Sequence, residues 1–547
     1  MSLSLYLHTL RYLKPVQFYA RAVFFLSRIA PDQRSGPPLR IQTCRFPLSP
    51  LRSASLIGEE TFRFLNESGI VRRGADWQKS DRTRLWQYNL HYFDDLNAVD
   101  RESRASQHRR LVTRWIGENP PGIGVGWEPY PLSLRIVNWI KWSSGGFKLT
   151  QETLDSLAVQ VRFLSRRLEF HLLGNHLFAN AKALIFAGAF FEGAEAEKWL
   201  DRGLRILDRE LTEQILQDGG HFERSPMYHA IIVEDLLDLV ALAETFAIET
   251  LKERAIRWRP TAKKMLRWLS VMTHPDGRIA FFNDAAFLIA PSRADLEKAA
   301  REVGVVVSAD LEEGITRLET SGYVKLQSGA ATAIVDVAPV GPDYLPGHAH
   351  ADTLSFELSW NGSRVLTNSG TSTYEPGERR LWERSTAAHN TVVVDGENSS
   401  EVWAGFRVAR RAYPFDVKVS EDGDELQVAA SHDGYRRLSG SPIHRRQITL
   451  TRTLVRIKDE INGRGTHQAQ GLLHLHPDMQ VEQVADDCIQ IQLPDGLKLN
   501  VRSQGGLKLN LKMGTYAPEF GLIVPRLVIH WTLRGKLPLI AEVAISK

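Results

Sequence analysis

The chain has 547 residues, of which 43% are hydrophobic and 24% charged, and these values exclude a disordered or fibrous protein. The length predicts roughly two to four domains, because a single hydrophobic core rarely extends that far. The 68 basic and 64 acidic residues nearly balance, and the sequence contains neither zinc-finger spacing nor an RNA-binding signature, so nucleic acid is not an expected partner.

The first 80 residues are predicted to form a helix followed by a proline-rich irregular arm. Residues 16–30 contain Arg21 and Arg28 and lack both a sustained apolar run and a small-residue cleavage site, so no signal peptide is recognised. No run of about 18 apolar residues predicts a membrane span. We therefore expect a cytoplasmic protein, with the periplasm as the alternative. The basic, aromatic residues 6–28 are expected to dock as a helix on the rest of the protein, and the alternative is attachment to a membrane surface.

Apolar residues recur at helical spacing from residue 86 to residue 287. Residues 184–191 are apolar nearly all round, which favours antiparallel helices stacked in a ring or solenoid over a lone bundle. The predicted helices cover residues 131–142, 153–171, 176–191, 194–211, 227–246 and 254–272.

After a short helix over residues 293–303, apolar and polar residues alternate between Gly, Asn and Asp turns, which predicts antiparallel strands. The predicted strands include residues 323–327, 333–337, 364–367, 390–396 and 447–455, with further strands up to residue 544. A helical half followed by a β half indicates an α+β multidomain fold with segregated layers. We predict an arm over residues 1–80, a helical domain over 81–310 and a β domain over 311–547.

A His-x-His-x-Asp cluster formed by His348, His350 and Asp352 follows the Pro346-Gly347 turn and leads into an alternating segment. If a strand begins at this cluster, all three side chains project from one face of it. Two imidazoles placed in this way serve as metal ligands, or as one ligand beside a general acid or base. The alternative is that they only form hydrogen bonds at a strand edge.

Three polar loops interrupt the helical half, at residues 126–131, 174–180 and 218–229. Each has a structural explanation, with Asn175 as a helix N-cap, Tyr228 as a half-buried aromatic residue and Arg224 as a surface ion pair. The chain contains no glycine-rich dinucleotide or phosphate loop and no G-x-S-x-G motif, which disfavours nucleotide binding and serine-hydrolase chemistry.

Five separated motifs, in order, resemble those of the heparinase II/III-like polysaccharide lyases. They span residues 85–410 and are Gly174-Asn175-His176, Ser225-Pro-Met-Tyr228-His after Asp218-Gly-Gly, Gly347-His348-Ala-His350-Ala-Asp352, Leu366-Thr-Asn-Ser-Gly-Thr371 and Ala388-His389-Asn390-Thr391. The resemblance implies an incomplete (α/α) toroid followed by an antiparallel β-sandwich.

The resemblance also implies cleavage of a uronic-acid-containing acidic glycan by β-elimination, which removes the C5 proton and leaves an unsaturated uronide. Asn175, aided by His176, is expected to neutralise the substrate carboxylate. Tyr228 is expected to act as base, acid or both, with His348 as the partner acid or base. An unperturbed tyrosine has a pKa of about 10, so Tyr228 as base needs a positive neighbour, and Arg224 is the candidate.

Six further residues are predicted to contact the substrate. They are Trp127, Glu128, Arg224, Tyr374, Arg384 and Asn390. Arg379, Arg380 and Arg384 follow Tyr374 in a loop whose charge suits an acidic glycan, and the alternative is a solvated arm over the helical domain.

The metal site of the family maps onto His350, Asn368 and His389. This chain has Asn368 where the family pattern has Asp, and a neutral amide is a poorer zinc ligand than a carboxylate. No cofactor is expected to be required, and a structural divalent cation, zinc or calcium, is left open.

Three other classes of function compete with the lyase. A glycoside hydrolase needs two carboxylates, for which Glu128, Asp218 and Glu223 are available. A non-catalytic protein that binds glycans or assists exopolysaccharide assembly would bind without turnover, and a metal-dependent hydrolase would use the histidine cluster. The expected partner is an acidic polysaccharide or oligosaccharide, and the sequence does not predict the oligomeric state. Without a recognised export signal, the expected substrate is the cell's own exopolysaccharide or imported fragments of a glycan.

Overall fold

Helices form the first part of the chain and antiparallel strands the rest, in the residues 3–79, 81–306 and 312–547 that the computed structural model describes. The α-helices are α1 (Leu3–Leu10), α2 (Pro15–Leu26), α3 (Arg84–Tyr92), α4 (Ala105–Glu118), α5 (Pro129–Ser144), α6 (Gln151–Ser165), α7 (Gly174–Phe190), α8 (Ala194–Gln214), α9 (Pro226–Thr245), α10 (Glu249–Val271), α11 (Arg293–Glu302) and α12 (Glu378–Glu383).

The strands pair antiparallel throughout. They are β1 (Thr61–Phe64), β2 (Glu67–Ile70), β3 (Gly314–Leu318), β4 (Tyr323–Ser328), β5 (Ala331–Asp336), β6 (Phe356–Trp360), β7 (Ser363–Leu366), β8 (Val392–Val394), β9 (Val402–Trp403), β10 (Arg407–Val408), β11 (Pro414–Asp422), β12 (Glu425–His432), β13 (Ile443–Leu450), β14 (Leu454–Asn462), β15 (Thr466–His474), β16 (Gln480–Ala485), β17 (Cys488–Gln492), β18 (Lys498–Ser503), β19 (Asn510–Glu519), β20 (Leu522–Lys536) and β21 (Leu539–Ser546).

Three sheets and the short hairpin of β9 and β10 make up the β half, whereas β1 and β2 form a separate hairpin before the helical domain. The strand orders of the three sheets are β3-β4-β5-β6-β7, β19-β20-β15-β8 and β11-β12-β13-β14-β21-β18-β17-β16. Side chains from all three sheets, among them Val324, Ile448 and Trp531, share one buried core. The β half is therefore a layered structure with its core between the sheets.

The five-stranded sheet joins the two halves through the alternation of side chains along its strands. Val324 on β4 faces the core of the β half, whereas Tyr323 and Ile334 face the opposite way and pack with Trp268 and Met272 at the end of α10. Because successive residues of a strand point to opposite faces, one sheet contributes to both cores.

The helical half is built on α7, which is buried on nearly every side. Its neighbours α5, α8 and α9 surround it. Two glycines allow α7 and α8 to approach closely, since a Cβ at Gly188 would lie 2.5 Å from the backbone nitrogen of Leu200 and a Cβ at Gly203 would lie 2.8 Å from Cγ1 of Ile185. The apolar run around residue 184 therefore marks the centre of the helical half.

The predicted order of a helical half before an antiparallel β half is confirmed. One helix ends early: α6 stops at Ser165 although the prediction extended to residue 171. The side-chain carbonyl of Asn180 accepts the backbone N–H of Glu169, which fixes the following residues in a connection rather than a further helical turn. No helix within the described ranges is long and apolar enough to cross a membrane.

The condition that a strand begins at His348 is not met, since β6 begins only at Phe356. Residues 348–352 are irregular, and Leu354 has a left-handed backbone with φ of 64°. The predicted strand over 447–455 is two strands, β13 and β14, joined by a turn at residues 451–453, and only β8 forms within 390–396. The predicted domain limit between residues 310 and 311 lies outside the described residues.

The close approach of α7 and α8 gives a test of this packing. We expect Gly188→Ala to lower the free energy of unfolding by about 1–3 kcal/mol, because its Cβ overlaps backbone atoms of α8. The matched control is Gly117→Ala in α4, where no atom lies within 4 Å and the change should stabilise by up to about 1 kcal/mol. Chemical denaturation followed by circular dichroism measures both, and equal effects of the two substitutions would contradict the assigned packing.

Candidate active site between the helical and β halves

A cavity of about 1470 Å³ lies between the helical half and the loops of the β half. The first turn of α7 contributes Asn175 and His176, and the first turn of α9 contributes Tyr228. Loops of the β half contribute His348 and Tyr374. The four residues predicted to be catalytic therefore line one cavity, together with one of the predicted substrate contacts.

Tyr228 and His348 stack on each other at the wall of the cavity. Their rings stack with centroids 3.8 Å apart, and the Tyr228 hydroxyl lies 3.0 Å from the hydroxyl of Tyr374. Burial raises the pKa of Tyr228 well above its usual value, and Tyr374 and Asp284 raise it further. Tyr228 is thus a protonated phenol at neutral pH.

Asp284 fixes the orientation of His348. Its carboxylate lies 2.9 Å from Nδ1 of His348, 2.9 Å from Nε2 of His350 and 2.7 Å from Nη2 of Arg380. Burial opposes ionisation of this carboxyl, but Arg380 and the two imidazoles outweigh it and hold the pKa of Asp284 well below its usual range. The charged Asp284 accepts a hydrogen bond from Nδ1–H of His348, so Nε2 carries no proton and faces the cavity.

The start of α7 provides a site suited to a carboxylate. Asn175 is in the first turn, where backbone N–H groups have no helical partner and the helix dipole is positive. Nδ1 of His176 lies 3.0 Å from the Glu169 carboxylate, and its ring packs on Tyr130 with centroids 4.5 Å apart. Burial would lower the pKa of His176, but Glu169 outweighs it and raises that pKa, so the cationic form is favoured.

Glu223 is a buried carboxylate at the wall of the cavity. Neither of its oxygens accepts a hydrogen bond from the residues that the structure describes, and Oε2 lies 3.7 Å from Nε2 of His348. Burial raises the pKa of Glu223, although the neighbouring His348 acts in the opposite direction. The protonated form of Glu223 is therefore favoured relative to an exposed glutamate.

Several residues predicted to contact substrate lie away from the cavity wall. Trp127 is 3% exposed, packs against Trp115 and Phe163, and donates its indole N–H to a backbone carbonyl. Glu128 is paired with Arg84 and accepts the hydroxyl of Tyr88. Trp127 belongs to the helical core, and Glu128 is occupied by its two partners.

Arg224, Arg384 and Asn390 are also buried outside the cavity. Nε of Arg224 donates to the carbonyl of Ser321, and Nε of Arg384 donates to the carbonyl of Ala349. The side-chain amide of Asn390 donates to a backbone carbonyl and accepts a backbone N–H. All three support loops around the site. The largest effects on the pKa of Tyr228 come from burial, Tyr374 and Asp284, and the guanidinium of Arg224 is bonded to Ser321, so these contacts do not support Arg224 as the neighbour that makes Tyr228 a base.

Glu128, Asp218 and Glu223, the acids available for a glycoside hydrolase, do not come together in the cavity. Asp218 accepts the backbone N–H and the hydroxyl of Ser321 and caps a turn away from the cavity. Since Glu128 is also paired elsewhere, Glu223 is the only one of the three candidate acids that faces the cavity. A hydrolase needs two flanking carboxylates, so these three acids do not supply the pair.

Of the three residues predicted to hold a metal, the two histidines face each other, whereas Asn368 is bonded to the backbone. Nδ1 of His350 lies 3.1 Å from Nε2 of His389, and the other nitrogen of each ring is bonded to Asp284 or to the carbonyl of Ser385. Asn368 donates its amide to a backbone carbonyl and accepts the backbone N–H of Asn390. Among the described residues, no cluster of three His, Cys, Asp or Glu side chains has the arrangement of a metal site.

Sequence reasoning did not identify Asp284 and Glu169 as site residues, and it noted Arg380 only as a loop cation. Asp284 lies in the segment Ala280-Phe-Phe-Asn-Asp-Ala-Ala-Phe287, where an acid within an apolar run was a signal of a buried charge with a partner. Its partners are 64, 66 and 96 positions away, so their identity depended on the fold.

Comparison with known proteins agrees with this architecture. Residues 66–301 match the family description heparinase II/III N-terminus, and residues 311–543 match heparinase II/III-like, C-terminal. The chain belongs to the heparinase II/III family, which confirms the resemblance. A crystal structure of heparinase III has a similar fold, with a TM-score of 0.66 at 18% identity over 97% of this chain and 85% of that one. The toroid and β-sandwich are thereby confirmed.

Four curated relatives have sequences that are 24–26% identical to this chain. A heparin-sulfate lyase of Bacteroides stercoris is 26% identical over 497 residues, which is 80% of this chain and 70% of that protein. The FtsZ-localized protein C of Caulobacter vibrioides is 25% identical over 464 residues, 77% of this chain and 75% of that protein. This chain spans 53% and 59% of the length of two further heparin-sulfate lyases, from Pedobacter heparinus and Bacteroides thetaiotaomicron.

The histidine pair gives a test by addition and removal of metal. We expect neither zinc nor a chelator to change the melting midpoint of the wild-type protein, because Asn368 provides no carboxylate. Asn368→Asp should create a zinc-dependent rise in that midpoint, since a carboxylate would join His350 and His389. Calorimetry with and without zinc measures both proteins, and a chelator-sensitive wild type would show that the cluster is a metal site as it stands.

The buried Glu223 gives a pH-dependent test. The pKa of Glu223 is raised in the folded state. Its protonation therefore stabilises the folded protein fully at pH values below the pKa of the unfolded state, and this stabilisation is lost as the pH rises through the pKa of the folded state. We therefore expect Glu223→Gln to be nearly neutral at low pH and more stable than wild type, by about 1–3 kcal/mol, at mildly alkaline pH. Denaturation at both pH values measures this, with Glu319→Gln, whose side chain is 72% exposed, as control. An equal effect at both pH values would contradict it.

Proposed function

We propose that the protein is a polysaccharide lyase that cleaves a uronic-acid-containing glycan by β-elimination. The stacked Tyr228 and His348 pair beside the start of α7 carries the proposal, because it places an acid and a base next to a carboxylate-binding site. The two carboxylates and the water of a hydrolase are not needed for this reaction. The similarity to heparin-sulfate lyases supports the same reaction class.

Neutralisation of the substrate carboxylate is the first requirement, because the C5 proton is only weakly acidic. The amide of Asn175 and the cationic His176 stabilise the negative charge that develops when this proton leaves. Glu223 borders the same space, and in its protonated form it donates a hydrogen bond to the substrate carboxylate rather than repelling it. The intermediate is thus held by groups already in place before substrate arrives.

The electrostatics assign different roles to Tyr228 and His348. His348 has Nδ1 held by Asp284, so its free Nε2 is placed to accept the C5 proton. Tyr228 is protonated and donates its phenolic proton to the C4 oxygen as the glycosidic bond breaks. The main neighbours of Tyr228 raise its pKa rather than lower it, and Tyr374 orients its hydroxyl.

The stacked rings also favour one stereochemical course. Because Tyr228 and His348 lie side by side, both reach the substrate from the same direction. In a glucuronic acid unit the C5 hydrogen and the C4 oxygen leave from one face of the ring, whereas in its C5 epimer they leave from opposite faces. The arrangement therefore favours elimination at glucuronic acid over iduronic acid.

The test is the near-ultraviolet absorbance of the unsaturated uronide during incubation with uronic-acid polysaccharides. We expect Tyr228→Phe and His348→Gln each to lower the turnover rate by about 10²- to 10⁴-fold, since each removes one proton-transfer group. Tyr19→Phe is the matched control, because that tyrosine is 62% exposed and does not line the cavity. A glucuronic acid polymer should react faster than the same polymer after C5 epimerisation.

The outcomes separate the alternatives. An absorbance rise that survives both substitutions would contradict the assigned acid and base. New reducing ends without absorbance would indicate a hydrolase. Binding of the polysaccharide without either product would indicate the glycan-binding or assembly protein that keeps the lyase scaffold.

A further inference from the structure

The first two helices dock on the protein through one face only. On α1, Thr9 accepts the indole N–H of Trp403 at 3.1 Å. On α2, the side-chain amide of Gln17 donates to the carbonyl of Tyr344 at 3.2 Å, and the ring of Phe24 packs on His171 with centroids 4.1 Å apart. These contacts involve both the toroid and loops of the β half, so the helices have a fixed position.

The opposite faces of α1 and α2 are apolar and exposed. The exposed large side chains are Leu3 (75%), Leu7 (62%), Leu10 (44%), Phe18 (50%), Tyr19 (62%), Val23 (60%), Phe25 (74%) and Leu26 (82%). Residues 3, 7 and 10, and residues 19, 23 and 26, recur at the i, i+4, i+7 spacing of one helix face. An apolar surface this dense on a folded protein marks an interaction site rather than scattered exposed residues.

The charge around this surface has one sign. Arg11, Lys14, Arg21 and Arg28 are the charged residues at positions 3–31, and the first acid along the chain is Asp32. Lys14 is paired with Glu213, whereas Arg11 and Arg28 have exposed side chains and no acidic partner among the described residues. Arg21 is exposed as well, but it borders the cavity. Exposed arginines beside aromatic and aliphatic side chains complement anionic lipid headgroups above an acyl layer.

We propose that α1 and α2 form a docking surface for an anionic membrane. The apolar side chains enter the boundary between headgroups and acyl chains, to a depth of about 5–10 Å, while the arginines remain among the phosphates. Neither helix crosses the bilayer, in agreement with the absence of a membrane-spanning helix from the described part of the chain. A polar protein partner would not require eight exposed apolar side chains.

The same helices are part of the cavity wall. Leu13 and Gln17 line the cavity from α1, α2 and their connection, and Leu10 and Arg21 border it where the two helices become exposed. Membrane docking therefore holds the cavity at a fixed position near the lipid surface. This places the glycan beside the membrane on which such polymers are made or imported, whether or not the chain cleaves it.

Sedimentation of the full-length protein with vesicles tests the proposal independently of lyase activity. We expect binding to phosphatidylcholine vesicles that contain phosphatidylglycerol, little binding to phosphatidylcholine alone, and loss of binding at high salt. The double variant Phe25→Glu/Leu26→Glu should bind at least about tenfold more weakly, because two apolar side chains that would enter the lipid become charged. The control is Ile256→Glu on α10, an apolar residue that is 71% exposed far from these helices in the chain.

Near-ultraviolet circular dichroism and the melting midpoint establish that each variant is folded. Equal binding of the double variant and the wild type, or no binding of the wild type to anionic vesicles, would overturn the proposal. Self-association of the wild type that the double variant loses, without lipid binding, would also overturn it and make the surface a contact between copies. These results leave the lyase assay unaffected, so failure of one proposal is distinguishable from failure of the other.

Discussion

The site depends on one buried carboxylate. Asp284 lies between the toroid and the β-sandwich and accepts hydrogen bonds from His348, His350 and Arg380, while its own backbone carbonyl accepts the hydroxyl of Ser225 at the start of α9. An isolated carboxylate in such a place would cost several kcal/mol in lost hydration. Arg380 compensates its charge, and the imidazoles complete its hydrogen bonds. The catalytic histidine and the helix that holds Tyr228 thus share one anchor.

The elements of the fold could be predicted where the sequence pattern is long and repeated. Helices α7 to α10 were found from apolar spacing, and β4 and β5 from alternation, because these patterns follow directly from which side chains are buried. The alternate spacing of His348, His350 and Asp352 is also compatible with a strand. The conformation of this cluster is instead fixed by Asp284 and by the left-handed Leu354, and neither influence is local in sequence.

The candidate site could be predicted in part. Asn175, His176, Tyr228 and His348 were placed in one cavity by motifs that occur in family order, although their roles remain proposals. Arg224 was predicted to be the positive neighbour of Tyr228 because Arg224 lies one helical turn before Tyr228 in the sequence. However, Arg224 has a left-handed backbone with φ of 58°, outside α9, and its side chain turns to Ser321. The short distance between the two residues in the sequence therefore did not determine where the side chain of Arg224 points.

The candidate catalytic groups come from both halves of the molecule. Asn175 and Tyr228 are on toroid helices, whereas His348 and Tyr374 are on loops of the β-sandwich, and the packing of Tyr323 against Trp268 sets one half against the other. Neither half has a complete set of groups by itself. The two domains must therefore be inherited as a unit: a toroid recombined with a foreign sandwich would keep its fold and lose its chemistry unless the interface were transferred with it.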